Sequence, residues 1–117
     1  MEAENMEKDF KKLRQQMVRE QLIKRGIEDE AVITAFRNVE REKFMLAKNK
    51  EYAYQDGAQS IEAGQTISQP YIVAYMAQKL GLTEDSNVLE IGTGCGYNAA
   101  VMAQIANEVY SIEIVEW

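Results

Sequence analysis

The sequence predicts an α/β fold in which N-terminal helices precede the first β-α-β unit of a doubly wound parallel sheet. Two observations indicate this class. The first part of the chain repeats apolar residues at helical spacing, with charged residues between them. The last third carries an apolar run, a glycine-rich segment, an apolar helical pattern and a β-branched run, which is the order of a β-α-β unit. Only one such unit is present, so the predicted sheet is incomplete.

The first part of the chain is predicted to form two helices and a connection. Residues 6–25 place apolar side chains on one stripe, and Gly26 after them is typical of a helix C-terminal cap. Residues 29–39 repeat the pattern over a shorter span. We expect these helices to pack as a hairpin. Residues 40–64 show no sustained period and are predicted to be irregular.

The β-α-β unit follows a third predicted helix. The single proline, Pro70, suits the first turn of that helix, and Gly81 suits its end. Residues 88–91 are almost continuously apolar, which is typical of a strand buried on both faces of a parallel sheet. The unit is completed by a loop, a crossover helix that is apolar almost all round, and a second strand, at 92–96, 98–106 and 109–115.

Charge and composition exclude several classes of function. The formal net charge is −6, whereas a nucleic-acid binder needs a dense basic face. No apolar run is long enough to span a membrane, and the acidic N-terminus is unlike a secretory signal, so we predict a cytoplasmic location. The single cysteine, Cys95, has no disulfide partner and no histidine to activate it. We expect it to be a small loop residue, and we predict no metal site.

The glycine-rich segment is predicted to bind a nucleotide. Gly92, Gly94 and Gly96 let the backbone turn sharply and let a ligand approach closely. Nucleotide-binding units place an acid that holds ribose hydroxyls about 20 residues further on, and Glu113 lies near that separation. The alternative is an ordinary tight turn with a solvated acid at the strand end.

Glu90 bears on which nucleotide is bound. The dinucleotide pattern Gly-x-Gly-x-x-Gly/Ala is satisfied, so an NAD(P)-binding oxidoreductase is a second hypothesis. Glu90, however, would face a pyrophosphate with like charge. S-adenosylmethionine has no phosphate and carries ammonium and sulfonium charges that a carboxylate attracts. We therefore predict S-adenosylmethionine, with the alternative that Glu90 is an ion-paired or exposed strand-end residue.

Two sequence blocks resemble the protein-L-isoaspartate O-methyltransferase family: GQTISQPY at 64–71 and VLEIGTGCGY at 88–97. The first is the more specific, because many methyltransferases share the second. The resemblance runs from about residue 16 to the end. It implies a Rossmann-like sheet and methyl transfer from S-adenosylmethionine to the carboxylate of isoaspartyl residues in damaged proteins, as protein repair. It also implies a helical lead and connection at 1–57 and a truncated start of the donor-binding methyltransferase domain at 58–117.

By the same resemblance, Ser68 lies at the active site, with Thr66 and Ile67 beside it near the methyl donor. A carboxylate acceptor needs no general base, only donors that orient it. Hydroxyls of Ser68 and Thr66 are therefore assigned as catalytic. The alternative for Ser68 is a cap on the helix opened by Pro70. Residues 58–63 depart from the more apolar segment of the family, and Cys95 stands where serine is frequent.

The last predicted strand, 109–115, leaves an unpaired edge. We expect the missing C-terminal half or a partner chain to cover it, and we expect this chain to be inactive alone. The implied substrates are isoaspartyl-containing proteins or peptides, with no nucleic acid and no membrane. A third hypothesis is a non-catalytic interaction module that pairs through this strand.

Overall fold

The computed structural model describes residues 2–61 and 65–113. Helix α1 spans Glu2–Met17 and continues through a π-helical turn, Val18–Leu22, and a 3₁₀ turn, Ile23–Arg25. Gly26 ends this run with a left-handed φ of 96°. The predicted first helix and its glycine cap are confirmed, although the last two turns depart from α geometry.

Helix α2 spans Glu30–Asn38 and begins with a side-chain cap. The Asp29 carboxylate accepts from the backbone N–H of Ala31 at 3.0 Å and of Val32 at 3.4 Å. These bonds satisfy amides that have no partner inside the helix. The buried face of α2 includes Val32 and Phe36, and it packs against the run that starts with α1, as the predicted hairpin requires.

The connection is more regular than the prediction of an irregular segment. It contains two 3₁₀ segments, Arg41–Phe44 and Ala47–Tyr52, and strand β1 at Gln59–Ser60. Strand β1 pairs antiparallel with β2, Thr66–Ile67. Elements this short carry too few residues to produce a period in the sequence, which is why the pattern missed them. Residues 62–64, including Gly64 of the first sequence block, lie outside the described residues.

The parallel unit is confirmed within the described residues. Helix α3 spans Pro70–Leu80, with Pro70 in its first turn and Gly81 as its left-handed cap. Strand β3, Asn87–Ile91, pairs parallel with β4, Glu108–Ile112, through helix α4, Tyr97–Ala103. Helix α4 is shorter than predicted because its end tightens into i→i+3 bonds from Gln104 and Ile105. The predicted end of β4 at residue 115 lies outside the described part.

The prediction that β3 is buried on both faces is wrong. Glu90 lies on the face toward α4, whereas Leu89 and Ile91 are 61% and 80% exposed on the other face. Their register partners in β4, Tyr110 and Ile112, are 57% and 53% exposed. We call these four side chains the open apolar face. No described element covers it.

One hydrophobic core joins the helices to the connection. Phe36 of α2 packs edge-on against Tyr97 of α4 at a centroid distance of 6.1 Å, and Phe44 meets the same ring at 5.5 Å. Core side chains therefore come from both sides of the predicted boundary at 57–58, and that boundary stays a prediction. No helix among the described residues is both long and apolar enough to cross a membrane.

Candidate functional site

The loop from β3 to α4 depends on glycine for its backbone conformation. Gly92, Gly94 and Gly96 have φ values of 82°, 57° and 88°, in the left-handed region that L side chains avoid. A Cβ at Gly92 would project into space with no protein atom within 4 Å, so the surface above it is open. Gly96 is the N-cap residue of α4. The loop therefore leaves β3 sharply and presents bare backbone to the solvent at Gly92.

A cavity of about 410 Å³ lies between this loop and β2. A volume in this range is typical of small-molecule sites. Six of the eight predicted site residues line it: Thr66, Ile67, Ser68, Glu90, Gly92 and Gly94. Gly96 and Glu113 do not line it. The fold thus brings residues of the two sequence blocks to one cavity.

Glu90 is a buried acid in the cavity wall, 8% exposed. Its Oε2 accepts from Asn98 Nδ2 at 2.7 Å, and its Oε1 accepts from Ser111 Oγ at 3.1 Å. Within the described part of the chain, no lysine or arginine is ion-paired with it. The carboxylate is therefore oriented by neutral donors rather than by an ion pair, contrary to the ion-paired alternative.

Asn98 and Ser111 were missed by the sequence analysis. Ser111 faces Glu90 because the two residues are register partners in the parallel pair. Asn98 reaches the same carboxylate from the first turn of α4. Neither residue belongs to a recognisable sequence motif. Only the β3–β4 register and the packing of α4 show that they contact Glu90.

Glu113 contacts the glycine loop directly. Its Oε2 accepts from the Gly94 backbone N–H at 2.9 Å. Gly92 N–H also donates to the Ile112 carbonyl at 2.7 Å, which continues the strand pairing into the loop. The acid at the end of the second strand is thus adjacent to the loop, as the sequence separation predicts for a nucleotide-binding unit.

The three predicted site residues of the first sequence block occupy different environments. Thr66 is exposed, and Ile67 packs into the core. Ser68 is exposed, and its hydroxyl has no hydrogen-bond partner among the described residues. Helix α3 is capped by Gln69 without a side-chain hydrogen bond, so Ser68 does not cap it. The hydroxyls of Thr66 and Ser68 are available to a ligand in the cavity.

Cys95 lies half-buried in the glycine loop, as expected for a small loop residue. It lines the cavity beside Gly94. Burial raises the pKa of its thiol, which keeps it protonated and unreactive at neutral pH. Among the described residues, no cluster of acids and cysteines is arranged to hold a metal ion.

Comparison with known proteins places the chain in a family. The model of the family described as Protein-L-isoaspartate(D-aspartate) O-methyltransferase (PCMT) matches residues 12–117. A protein-L-isoaspartate O-methyltransferase of Opitutus terrae is 58% identical over 103 residues, which are 88% of this chain and 44% of that protein. One from a Picosynechococcus strain is 53% identical over 103 residues, 88% of this chain and 46% of that protein. The chain spans a little less than half the length of these relatives.

Two solved structures share the fold. A protein-L-isoaspartate O-methyltransferase chain superposes with a TM-score of 0.76 at 33% identity, over 88% of this chain and 34% of that chain. A proposed enzyme of the same name from Plasmodium falciparum, in complex with S-adenosyl-L-homocysteine, gives 0.72 at 31% identity, over 91% and 49% of the two chains. The sequence blocks, the β-α-β unit and these matches agree, and the chain belongs to the protein-L-isoaspartate(D-aspartate) O-methyltransferase family.

Proposed function

We propose that this chain is the donor-binding part of an S-adenosylmethionine-dependent carboxyl methyltransferase that acts on isoaspartyl residues of damaged proteins. One observation carries the proposal. A carboxylate without an ion-pair partner among the described residues, Glu90, and two exposed hydroxyl residues, Thr66 and Ser68, line one cavity beside a bare glycine loop. The names of the relatives support the substrate class.

The donor side suits a cationic ligand without phosphate. Glu90 would attract the ammonium of S-adenosylmethionine and would repel a pyrophosphate at the same position. Gly92 leaves open space for the ligand, and Gly94 lines the same cavity. Glu113 would accept from ribose hydroxyls while keeping Gly94, because a carboxylate offers about four acceptor sites. The S-adenosyl-L-homocysteine in the Plasmodium falciparum structure supports the same ligand class.

The acceptor side needs orientation rather than acid–base catalysis. S-adenosylmethionine, when bound, supplies an electrophilic methyl group. Ser68 and Thr66 would donate hydrogen bonds to one oxygen of the substrate carboxylate and so direct the other oxygen at that methyl group. No proton moves in the transfer, because an anion becomes an ester and a sulfonium becomes a neutral thioether. A chain without histidine is compatible with this chemistry.

We also propose that a further part of the methyltransferase covers the open apolar face and that the 117-residue chain is inactive without it. The exposure of Leu89, Ile91, Tyr110 and Ile112 supports a missing layer, and relatives about twice as long have further chain that would supply it. The same face supports the alternative of a non-catalytic interaction module with a partner chain. The cytoplasmic location stays a prediction.

Calorimetric titration of the purified chain with S-adenosyl-L-homocysteine and with NADH tests the donor assignment. We expect affinity for the first ligand only. Glu90→Gln keeps the shape of the side chain but removes its charge, and should weaken the affinity about tenfold or more. Glu84→Gln, in the exposed turn before β3, is the matched control and should leave it unchanged. Equal affinity for NADH would favour the oxidoreductase. A discrete oligomer with affinity for neither ligand would favour the interaction module.

A further inference from the structure

Arg41 has an unusual environment for a charged residue. It is fully buried, with 0% of its surface exposed. Its Nε donates to the Ala53 carbonyl at 2.6 Å, and its Nη2 donates to the Ser68 carbonyl at 2.8 Å. The guanidinium carbon lies 4.9 Å from the centroid of the Tyr97 ring.

Among the described side chains, no carboxylate lies within ion-pair distance of Arg41. Two other arginines differ in this respect, since Arg14 pairs with Glu42 and Arg25 pairs with Asp56. Burial lowers the pKa of Arg41, which reflects the free-energy cost of keeping its charge away from water. An apolar side chain of similar volume would fill this space without that cost. Filling space therefore does not explain an arginine here.

The three contacts of Arg41 belong to three different parts of the site. Ala53 lies in the connection, Ser68 follows β2, and Tyr97 is the first residue of α4, directly after the glycine loop. A planar guanidinium offers donors in a fixed fork, so its two bonds hold two carbonyls at a set separation. The ring of Tyr97 then fixes the plane of that fork against α4.

We propose that Arg41 is a positioning residue that holds the backbone of Ser68 in register with the glycine loop. The inference deepens the proposed function, because Ser68 acts there as the group that orients the acceptor carboxylate. Arg41 does not reach the cavity and acts through Ser68. Its hydrogen bond to the Ser68 carbonyl sets where the neighbouring hydroxyl stands relative to a donor bound over Gly92 and Gly94.

Hydrogen exchange of backbone amides in the unliganded chain tests the proposal. The variants are Arg41→Lys, which keeps the charge but has no fork to join the two carbonyls, so that Ser68 is no longer tied to Ala53, and Arg41→Met, which removes both bonds. Val32→Ala is the control, because Val32 is a buried core residue of α2 outside the polar contacts of Arg41, and its truncation destabilises the fold as a whole. Exchange is compared between a peptide covering residues 65–69 and a peptide covering β3.

We expect both Arg41 variants to speed exchange at 65–69 about tenfold relative to β3, the effect of losing one hydrogen bond. Val32→Ala should change both peptides in parallel. Parallel changes in the Arg41 variants, or full protection of 65–69 in Arg41→Lys, would overturn the proposal. If Arg41→Met does not fold, Arg41→Lys decides alone. No ligand is present in this experiment, so a failure to bind S-adenosyl-L-homocysteine would refute the proposed function and leave this inference standing.

Discussion

At the residue scale, the Glu113 carboxylate links the end of the second parallel strand to the glycine loop. It already accepts from the Gly94 N–H at the tip of the parallel pair. Its place beside the glycine loop follows from the strand order, because the carboxyl ends of parallel neighbours meet at one edge of the sheet. The sequence separation was therefore enough to predict its position, but not its bond to the loop.

Replacement of Glu113 by alanine should weaken binding of S-adenosyl-L-homocysteine about 10- to 100-fold, because hydrogen bonds to a charged acceptor are among the stronger ones. Calorimetry gives the affinity. Glu108→Ala, at the opposite end of β4, is the control. Unchanged affinity in Glu113→Ala would contradict its role in ribose binding.

The Asp56 carboxylate is expected to make the unfolding free energy depend on pH. The hydrogen bond that it accepts from Arg25 has the largest effect, and a second comes from Gln69. Together they lower the pKa of the Asp56 carboxyl from 3.8 to about 2. The folded state thus binds a proton less readily than the unfolded state. The stabilisation is present above about pH 4 and is lost as the pH falls toward 2. Because the carboxylate is partly exposed, water screens the effect and makes it small.

Urea unfolding between pH 5 and pH 2 measures this contribution. Asp56→Asn should flatten that part of the acid dependence of the unfolding free energy, and Arg25→Met should flatten it to a similar extent by removing the main partner. The two changes together should add little to either one alone. Additive effects would show that the two residues act independently.

At the element scale, a buried polar cluster ties α1 to the connection. The Tyr54 hydroxyl accepts from Arg14 Nε at 2.8 Å and from the Arg41 backbone N–H at 3.1 Å, and it donates to Glu42. Burial and the bond to Glu42 raise the pKa of Tyr54, so the phenol stays protonated. The cluster fixes the 3₁₀ segment that carries Arg41. Sequence periodicity gave no sign of it, because its members lie up to 40 positions apart.

Tyr54→Phe removes the hydroxyl on which this cluster depends. The change leaves buried donors and a buried carboxylate with fewer partners, so the unfolding free energy should fall by about 2–4 kcal/mol. Chemical denaturation measures the loss. Tyr52→Phe is the matched control, because Tyr52 is 41% exposed and lies outside the cluster, so the change should cost under about 0.5 kcal/mol. A similar loss in both variants would contradict the role of the cluster.

At the scale of the whole molecule, substitutions on the two sides of the β3–β4 pair are expected to have different effects on the unfolding free energy and on self-association. Ile91, on the open apolar face, is 80% exposed, whereas Val101 of α4 is fully buried. Ile91→Thr should change the unfolding free energy by less than about 0.5 kcal/mol and should reduce concentration-dependent association. Val101→Thr should cost about 1–3 kcal/mol. Denaturation and sedimentation velocity give the two quantities. An equal loss of stability in both variants would mean that the face is already covered.

Local signals in the sequence determined the helices, the glycine caps, the β-α-β order and six residues that the fold brings to one cavity. Each rests on spacing along the chain, on backbone conformations that only glycine adopts freely, or on blocks of residues shared with a family. Tertiary structure alone decided the rest. Contacts between separate segments orient Glu90 through Asn98 and Ser111. They also set the hydrogen bond from Arg41 to the Ser68 carbonyl and decide which face of β3 stays open. Such contacts follow from register and packing, and neither leaves a period in the sequence.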